Sequence, residues 1–410
     1  MTARAMAETA PDQPRPVEPK ARIAALDVVR GLAILGILAV NAPTFALPFT
    51  AMMNPVASPQ PFDAASQQAW WIGETFFRFK FISLFSMLFG VSIFLVGGDK
   101  TDEARNGVLQ RRLLWLGVFG LLHATLFWFG DILLTYAIAG FLVMWARTWR
   151  PLPLIAAGLA LYLVFFVLPM LATLALGLMP PEALAQIKSQ MGWTVDPAAT
   201  SATVDAYRTL EGSFFGNLRV LAMYWGSAWV MVPALGGLMM VGLGLFKTGF
   251  LAGRSHPIVY LLVIALAGVG LWLTAGESTR ALEGGISFAE ASGRPISAAF
   301  APLIGLGYAS VLFLLLKMGV GALLKPLSAA GRMAFTNYLT QTVIMTTLFY
   351  GGRGLGWFGS MSLAELWVVI GAVWLVQLVW SPLWLSRFYM GPLEWVWRRL
   401  SYKGPVPLLR

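Results

Sequence analysis

Residues 22–41 read RIAALDVVRGLAILGILAVN, and the apolar run that begins at Val28 continues to Phe49. A run of that length is more than a soluble core helix needs, and it matches the ~20 residues required to cross ~30 Å of hydrocarbon. Nine further stretches of the same kind follow, at about 75–98, 113–130, 132–148, 151–179, 220–246, 258–275, 297–316, 333–350 and 363–385. The pattern predicts an all-α fold, a polytopic transmembrane helical bundle of about ten spans occupying 27–385. Two boundaries shift the count between nine and eleven. The segment 113–148 is divided only by Gly130 and Asp131, and the Trp70-Trp71 pair has the character of a separate interfacial helix.

Composition agrees with this reading. Hydrophobic residues make up 58% of the 410 and charged residues 12%, about half the ~25% of ordinary globular chains. The net charge of +10, from 29 basic and 19 acidic residues, would suggest nucleic acid as a partner in a soluble chain. Here the cations lie between apolar runs, as membrane anchors do, so the expected partner is lipid and not nucleic acid. The chain has no cysteine, which excludes disulfides, thiolate nucleophiles and iron–sulfur clusters, and its two histidines argue against a multi-histidine metal centre. No metal and no resident cofactor are expected.

Charge placement orients the bundle. With the N-terminus inside, one alternating topology puts twenty Lys and Arg on the cytoplasmic side and six on the outer side, and leaves Arg30, Arg78 and Lys80 within spans. Both termini are therefore expected in the cytoplasm of a bacterial inner membrane. The proline-studded segment 1–26 reads as a disordered cytoplasmic tail and 386–410 as a basic one. The large outer loops are 180–218 and 276–296; the first carries Trp193, Tyr207, Phe214 and Phe215 in a pattern suited to lying on the outer leaflet. We find no soluble domain, no 20–50-residue repeat and no heptad pattern. Glycines such as Gly236, Gly237, Gly242 and Gly244 are expected to let helices approach closely.

An ionisable group at bilayer depth costs several kcal/mol, so the few present are site candidates. Asp27 and Arg30 can pair on one face of the first span. Asn41 lies ~16 Å further along, about 20° off the same stripe, and completes a polar track. Glu74 and Arg78 are one turn apart with Lys80 close behind, which leaves one positive charge for an anion to answer. His123 sits near mid-depth in GLLHATLFWFGDILLTYAIAG (120–140) and is the one intramembrane residue suited to act as a general base. Asp131 lies eight residues on, ~12 Å along a straight helix; there the two border one cavity without touching. In GRMAFTNYLTQT (331–342), Arg332 marks the cytoplasmic entrance, and Asn337 and Gln341 stack on one face, either to bond neighbouring helices or to line a cavity. His256 reads as a surface residue. The glycines around Arg353 form a turn, because no Lys-Ser/Thr follows to make a phosphate loop.

Five blocks in order carry a resemblance: RIAALDVVRGLAILGILAVN, KFISLFSMLFG (80–90), the His123 block, GRMAFTNYLTQT and WSPLWLSRFYMGPLEWVWR (380–398). Together they resemble the YeiB-like bacterial membrane proteins that carry the domain of unknown function 418, over nearly the whole chain. The first block is also similar to the opening helix of heparan-glucosaminide acetyltransferases and, more distantly, of the acyltransferase-3 family. Those relatives pass an acyl group from cytoplasmic acyl-coenzyme A to an acceptor on the other face. The resemblance implies a membrane acyltransferase with acyl-CoA as donor substrate and an envelope glycan, lipid or small molecule as acceptor. Arg30 stands at the acyltransferase-3 arginine, but Asn41 replaces that family's histidine, so the base falls to His123. On this reading Arg30 and Asn41 orient the thioester, His123 deprotonates the acceptor and Asp131 positions the acceptor at the outer mouth. Asp27, Arg78, Lys80, Arg111, Arg112, Arg332, Asn337 and Gln341 serve substrate binding, with Lys317 and Lys325 as further cations for the donor phosphates. The alternative is a transporter or lipid-handling protein that uses the same polar track without catalysis.

Overall fold

The computed structural model describes residues 23–99, 102–190, 193, 196–226, 228–286, 293–402 and 404–410. The expected tail therefore lies outside the described residues up to position 22, and Ala24 already begins the first helix. The regular elements among the described residues are all helices, and their one β-type pairing is an isolated antiparallel bridge between Phe388 and Leu409.

Helix α1 (Ala24–Ala46) runs through the middle of the bundle. It is followed by α2 (Ala64–Ile72), α3 (Lys80–Gly97), α4 (Glu103–Leu126) and α5 (Leu133–Ala146). Next come α6 (Pro151–Tyr162, prolonged to Ala172 through a wide turn), α7 (Leu210–Trp225) and α8 (Ala228–Lys247). The remaining helices are α9 (Pro257–Glu283), α10 (Pro295–Lys317), α11 (Lys325–Arg332), α12 (Ala334–Phe349), α13 (Leu363–Arg387) and α14 (Pro392–Ser401). Local chemistry sets several starts. Proline occupies the first turn of α6, α9, α10, α11 and α14, where its missing N–H costs nothing. Ser362 and Glu365 form a capping box on α13, and Asp63 and Asp102 cap α2 and α4.

Among the described residues, seven helices are long and apolar enough to cross a membrane: Ala24–Ala46, Ala64–Gly97, Pro151–Ala172, Ala228–Lys247, Pro257–Glu283, Pro295–Lys317 and Leu363–Arg387. The protein is thus a multi-pass helical membrane protein. The other three expected spans are helical too but fall short for identifiable reasons. α5 and α12, at 14 and 16 residues, rise only ~21 and ~24 Å. α4 carries Glu103, Arg105, Arg111 and Arg112 on one helix. The most apolar stretches of α1 and α8 are 67% buried and those of α9 and α13 only 22%, so α1 and α8 form the centre and α9 and α13 the rim.

Two of the expected loops are partly helix. Gly276–Glu283 prolongs α9, and 180–218 contains helices Pro181–Gln190 and Pro197–Ala206 and the start of α7. Between α2 and α3 the chain winds through a wide turn at Gly73–Phe77 and breaks at Phe79, whose φ of 66° is left-handed. The Trp70-Trp71 pair accordingly ends one helix segment of a kinked span.

Lipid is as apolar as leucine, so burial of aliphatic surface does not hold such helices together; close packing does. α1 meets α11 backbone to backbone. A Cβ on Gly31 would sit 1.9 Å from the Leu327 carbonyl oxygen, and one on Gly331 1.9 Å from that of Asp27. α3 and α8 meet the same way through Gly90 and Gly242. Gly237 and Gly244 also face backbone, whereas Gly236 has ordinary side-chain contacts with Val143 and Ala139.

Candidate functional site

α4 ends one turn after His123, and the amides of Phe127 and Trp128 both bond its carbonyl at 3.0 Å. The chain then turns back before α5, and Asn217 of α7 holds that turn by accepting from the Phe129 amide at 2.5 Å and donating to the Ala124 carbonyl at 2.9 Å. Asp131 is therefore not ~12 Å beyond His123. Its Oδ1 lies 2.8 Å from His123 Nδ1, and its Oδ2 accepts from the Leu134 amide at 2.9 Å. The straight-helix extrapolation fails because no helix runs through 127–132. On the other side of the ring, His123 Nε2 meets the Thr342 hydroxyl of α12 at 2.9 Å. His123 and Asp131 are each 4% exposed and Thr342 1%. In the tautomer that donates Nδ1–H to the Asp131 carboxyl oxygen, the Nε2 lone pair faces the hydroxyl.

A cavity of about 260 Å³ adjoins this constellation. Its charged wall is Asp27 and Arg30 of α1, Arg112 of α4, Arg332 of α11, and Glu394 and Arg398 of α14. Its inner wall includes Ile132, Leu133, Tyr136 and Tyr338. The ring of Tyr338 is 5.4 Å from that of His123, so one side chain separates the cavity from the imidazole. Arg30 pairs with Asp27 at 2.9 Å, the Arg112 guanidinium stacks 4.0 Å over Trp397, and Arg332 donates to the Tyr389 carbonyl at 2.9 Å.

The remaining candidates lie elsewhere. Arg111 turns toward α14 and donates to the Ser401 carbonyl at 2.8 Å. Asn41, half-buried near the far end of α1, does not line the cavity. Asn337 and Gln341 are absent from its wall as well. Asn337 bonds Ser381, the Ala330 carbonyl and the Trp380 indole N–H, and Gln341 bonds Gln377 at 2.9 Å and the Ile34 carbonyl. Of the two roles open to these amides, the structure realises interhelical bonding. Arg78 and Lys80 belong to a separate buried network. Arg78 pairs with Glu74 at 2.8 Å. Lys80, 0% exposed, donates to Ser297 at 2.7 Å and to the Glu74 carbonyl freed by the wide turn. Arg294 joins the network at 3.6 Å from Glu74 and 3.7 Å from Glu277, and the Glu277 carboxylate caps α10 through the Ile296 and Ser297 amides. The positive charge expected to await an anion is thus enclosed among α2, α3, α9 and α10.

Three site residues carried no sequence signal. Thr342 is 219 positions from His123, Asn217 is 88 positions from the amide it holds, and Glu394 lies in a segment that reads as a basic tail. The Glu394 carboxylate caps α12, accepting from the Phe335 and Thr336 amides at 2.8 and 3.1 Å and from the Thr336 hydroxyl at 2.5 Å. Burial pushes this carboxyl above the usual carboxylate range, and those donors partly pull it back. Glu394→Ala is expected to cost about 1–3 kcal/mol, read as a lower midpoint in thermal unfolding of the purified protein. An unchanged midpoint would show that the cap bears no structural load.

The fold and site define a class, a multi-pass helical membrane protein with a buried carboxylate–imidazole–hydroxyl relay beside an arginine-lined cavity. The family description "Protein of unknown function (DUF418)" matches residues 245–404. YeiB of Escherichia coli (strain K12) is 33% identical over 406 residues, covering 94% of this chain and 97% of its own. YxaH of Bacillus subtilis (strain 168) is 30% identical over 414 residues, covering 95% and 96%. The chain belongs to this DUF418 family of YeiB-like membrane proteins. No solved structure matches it.

Proposed function

We propose that this protein is an integral-membrane acyltransferase that takes an acyl group from a cytoplasmic acyl-CoA and passes it to a hydroxyl or amine acceptor of the envelope. The observation that carries the reading is the buried Asp131–His123 pair, one aromatic ring away from a cavity lined by four arginines. Arg30, Arg112, Arg332 and Arg398 suit the phosphates of the donor. The cavity is smaller than the ~300–1,000 Å³ of typical small-molecule sites, a size for the thioester arm with the nucleotide held outside. His123 takes the proton of the attacking group, Asp131 stabilises the imidazolium, and the same proton goes on to the departing thiolate. Asn41, Arg78, Lys80, Asn337 and Gln341 are assigned no step. In this arrangement α4, α5 and α12 complete ten crossings of the bacterial inner membrane with both chain ends cytoplasmic. The one-sided distribution of lysine and arginine supports that topology.

The test is coenzyme A release from acetyl-CoA by purified protein in lipid nanodiscs, with a crude envelope extract as acceptor. Wild type is expected to release it. Arg112→Gln is expected to raise KM for the donor by roughly tenfold with kcat little changed, whereas Arg111→Gln leaves KM near wild type. Absence of release across several acyl chain lengths would overturn the reading. Solute uptake that survives His123→Ala would instead favour the transporter.

A further inference from the structure

Thr125, Thr274, Thr340 and Thr346 each turn the hydroxyl back onto the carbonyl four residues earlier in their own helix, at 2.7–2.9 Å. Thr342 points its hydroxyl across to His123 Nε2 at 2.9 Å, and Asp131 holds the opposite ring nitrogen at 2.8 Å. A neutral imidazole–threonine strut has no need of a carboxylate, and a carboxylate at this depth costs several kcal/mol. A carboxylate, an imidazole and an alcohol joined by two hydrogen bonds is the arrangement that converts an alcohol into a nucleophile.

We propose that Thr342 is the acyl carrier of this site, so that transfer runs through a threonine ester in two steps. The inference rests on the acyl-transfer reading above. In the first step Thr342 Oγ1 attacks the thioester carbonyl carbon and its proton passes to His123 Nε2. The carbon–sulfur bond breaks, and coenzyme A leaves as the thiol after its sulfur takes that proton. In the second step an acceptor hydroxyl or amine attacks the ester carbon and gives its proton to His123. The bond to Thr342 breaks, and the threonine oxygen recovers the proton. Tyr338 forms the wall that the thioester has to displace, since it lines the cavity and lies against the imidazole.

Protein in nanodiscs, exposed to acetyl-CoA without acceptor, quenched in acid and digested, is expected to carry one acetyl group on the peptide containing Thr342. The adduct should be absent from Thr342→Val and His123→Ala, present in Thr342→Ser, and discharged by envelope extract. Wild type that releases coenzyme A in the presence of acceptor yet shows no acetyl on that peptide would overturn the inference and leave direct transfer standing. Thr342→Val that transfers within about twofold of wild type would do the same. Should the valine variant fail to purify as a single species, the wild-type adduct and the serine variant decide. Wild type that releases no coenzyme A under any condition defeats the acyl-transfer reading and this inference with it.

Discussion

Replacing His123 by alanine is expected to lower coenzyme A release by about 10²–10⁴-fold, the usual worth of a positioned general base, with little change in donor KM. Asp131→Asn should lose a comparable amount although its shape is conserved. An amide holds the imidazole tautomer less well and leaves the imidazolium formed during transfer without a counter-charge. The measurement is the nanodisc assay with each variant shown to be monodisperse. Because both groups are 4% exposed, neither loss can be assigned to surface electrostatics. If the two variants keep wild-type rates, the relay is a strut between α4 and α12 and the chemistry lies elsewhere.

Gly331→Ala is expected to be strongly destabilising. The added Cβ would stand 1.9 Å from the Asp27 carbonyl oxygen. Since the obstacle is backbone, α1 and α11 would have to separate, at about 3 kcal/mol or more. That separation would also pull Asp27 and Arg30 away from Arg332 and open the cavity wall. Gly31→Ala should behave alike, its Cβ falling 1.9 Å from the Leu327 carbonyl oxygen. Gly371→Ala supplies the control, because nothing lies within 4 Å of its Cβ, and helix propensity alone makes it neutral or slightly stabilising. Thermal unfolding in one detergent decides the matter; equal midpoints for Gly331→Ala and Gly371→Ala would refute the close-packing account.

Each of the ten apolar stretches read from the sequence contains helix, because apolar run length survives any detail of packing, although 220–246 takes in the end of α7 as well as α8. The crossings were less so. α5 and α12 are short for a bilayer, and apolarity alone does not reveal where a helix stops. The pairing of Asp27 with Arg30 and of Glu74 with Arg78 was readable from spacing within one helix. The contact of His123 with Asp131 was not, since it depends on a turn at 127–132 that no proline forces. Thr342 and Glu394 were invisible for a different reason: only the packing of α12 against α4 and of α14 against α12 gives them partners. The amides of Asn337 and Gln341 show the reverse, since polarity at depth correctly marked them as bonded but could not tell a neighbouring helix from a ligand.

The contact between Gly31 and Gly331 joins residues 300 positions apart, and this bears on biogenesis. At ~5–20 residues per second, roughly 15–60 s of synthesis separates the emergence of the two glycines. Over that interval α1 has entered the bilayer without the helix that fills its groove, and its Asp27–Arg30 pair must be housed by the insertion machinery, by headgroups or by a temporary neighbour. The central helix of the finished bundle is thus made long before the helix that fills its groove. Assembly is therefore not a simple stacking of spans in order of synthesis, and a nascent chain stalled before Lys325 should still hold α1 open to crosslinking.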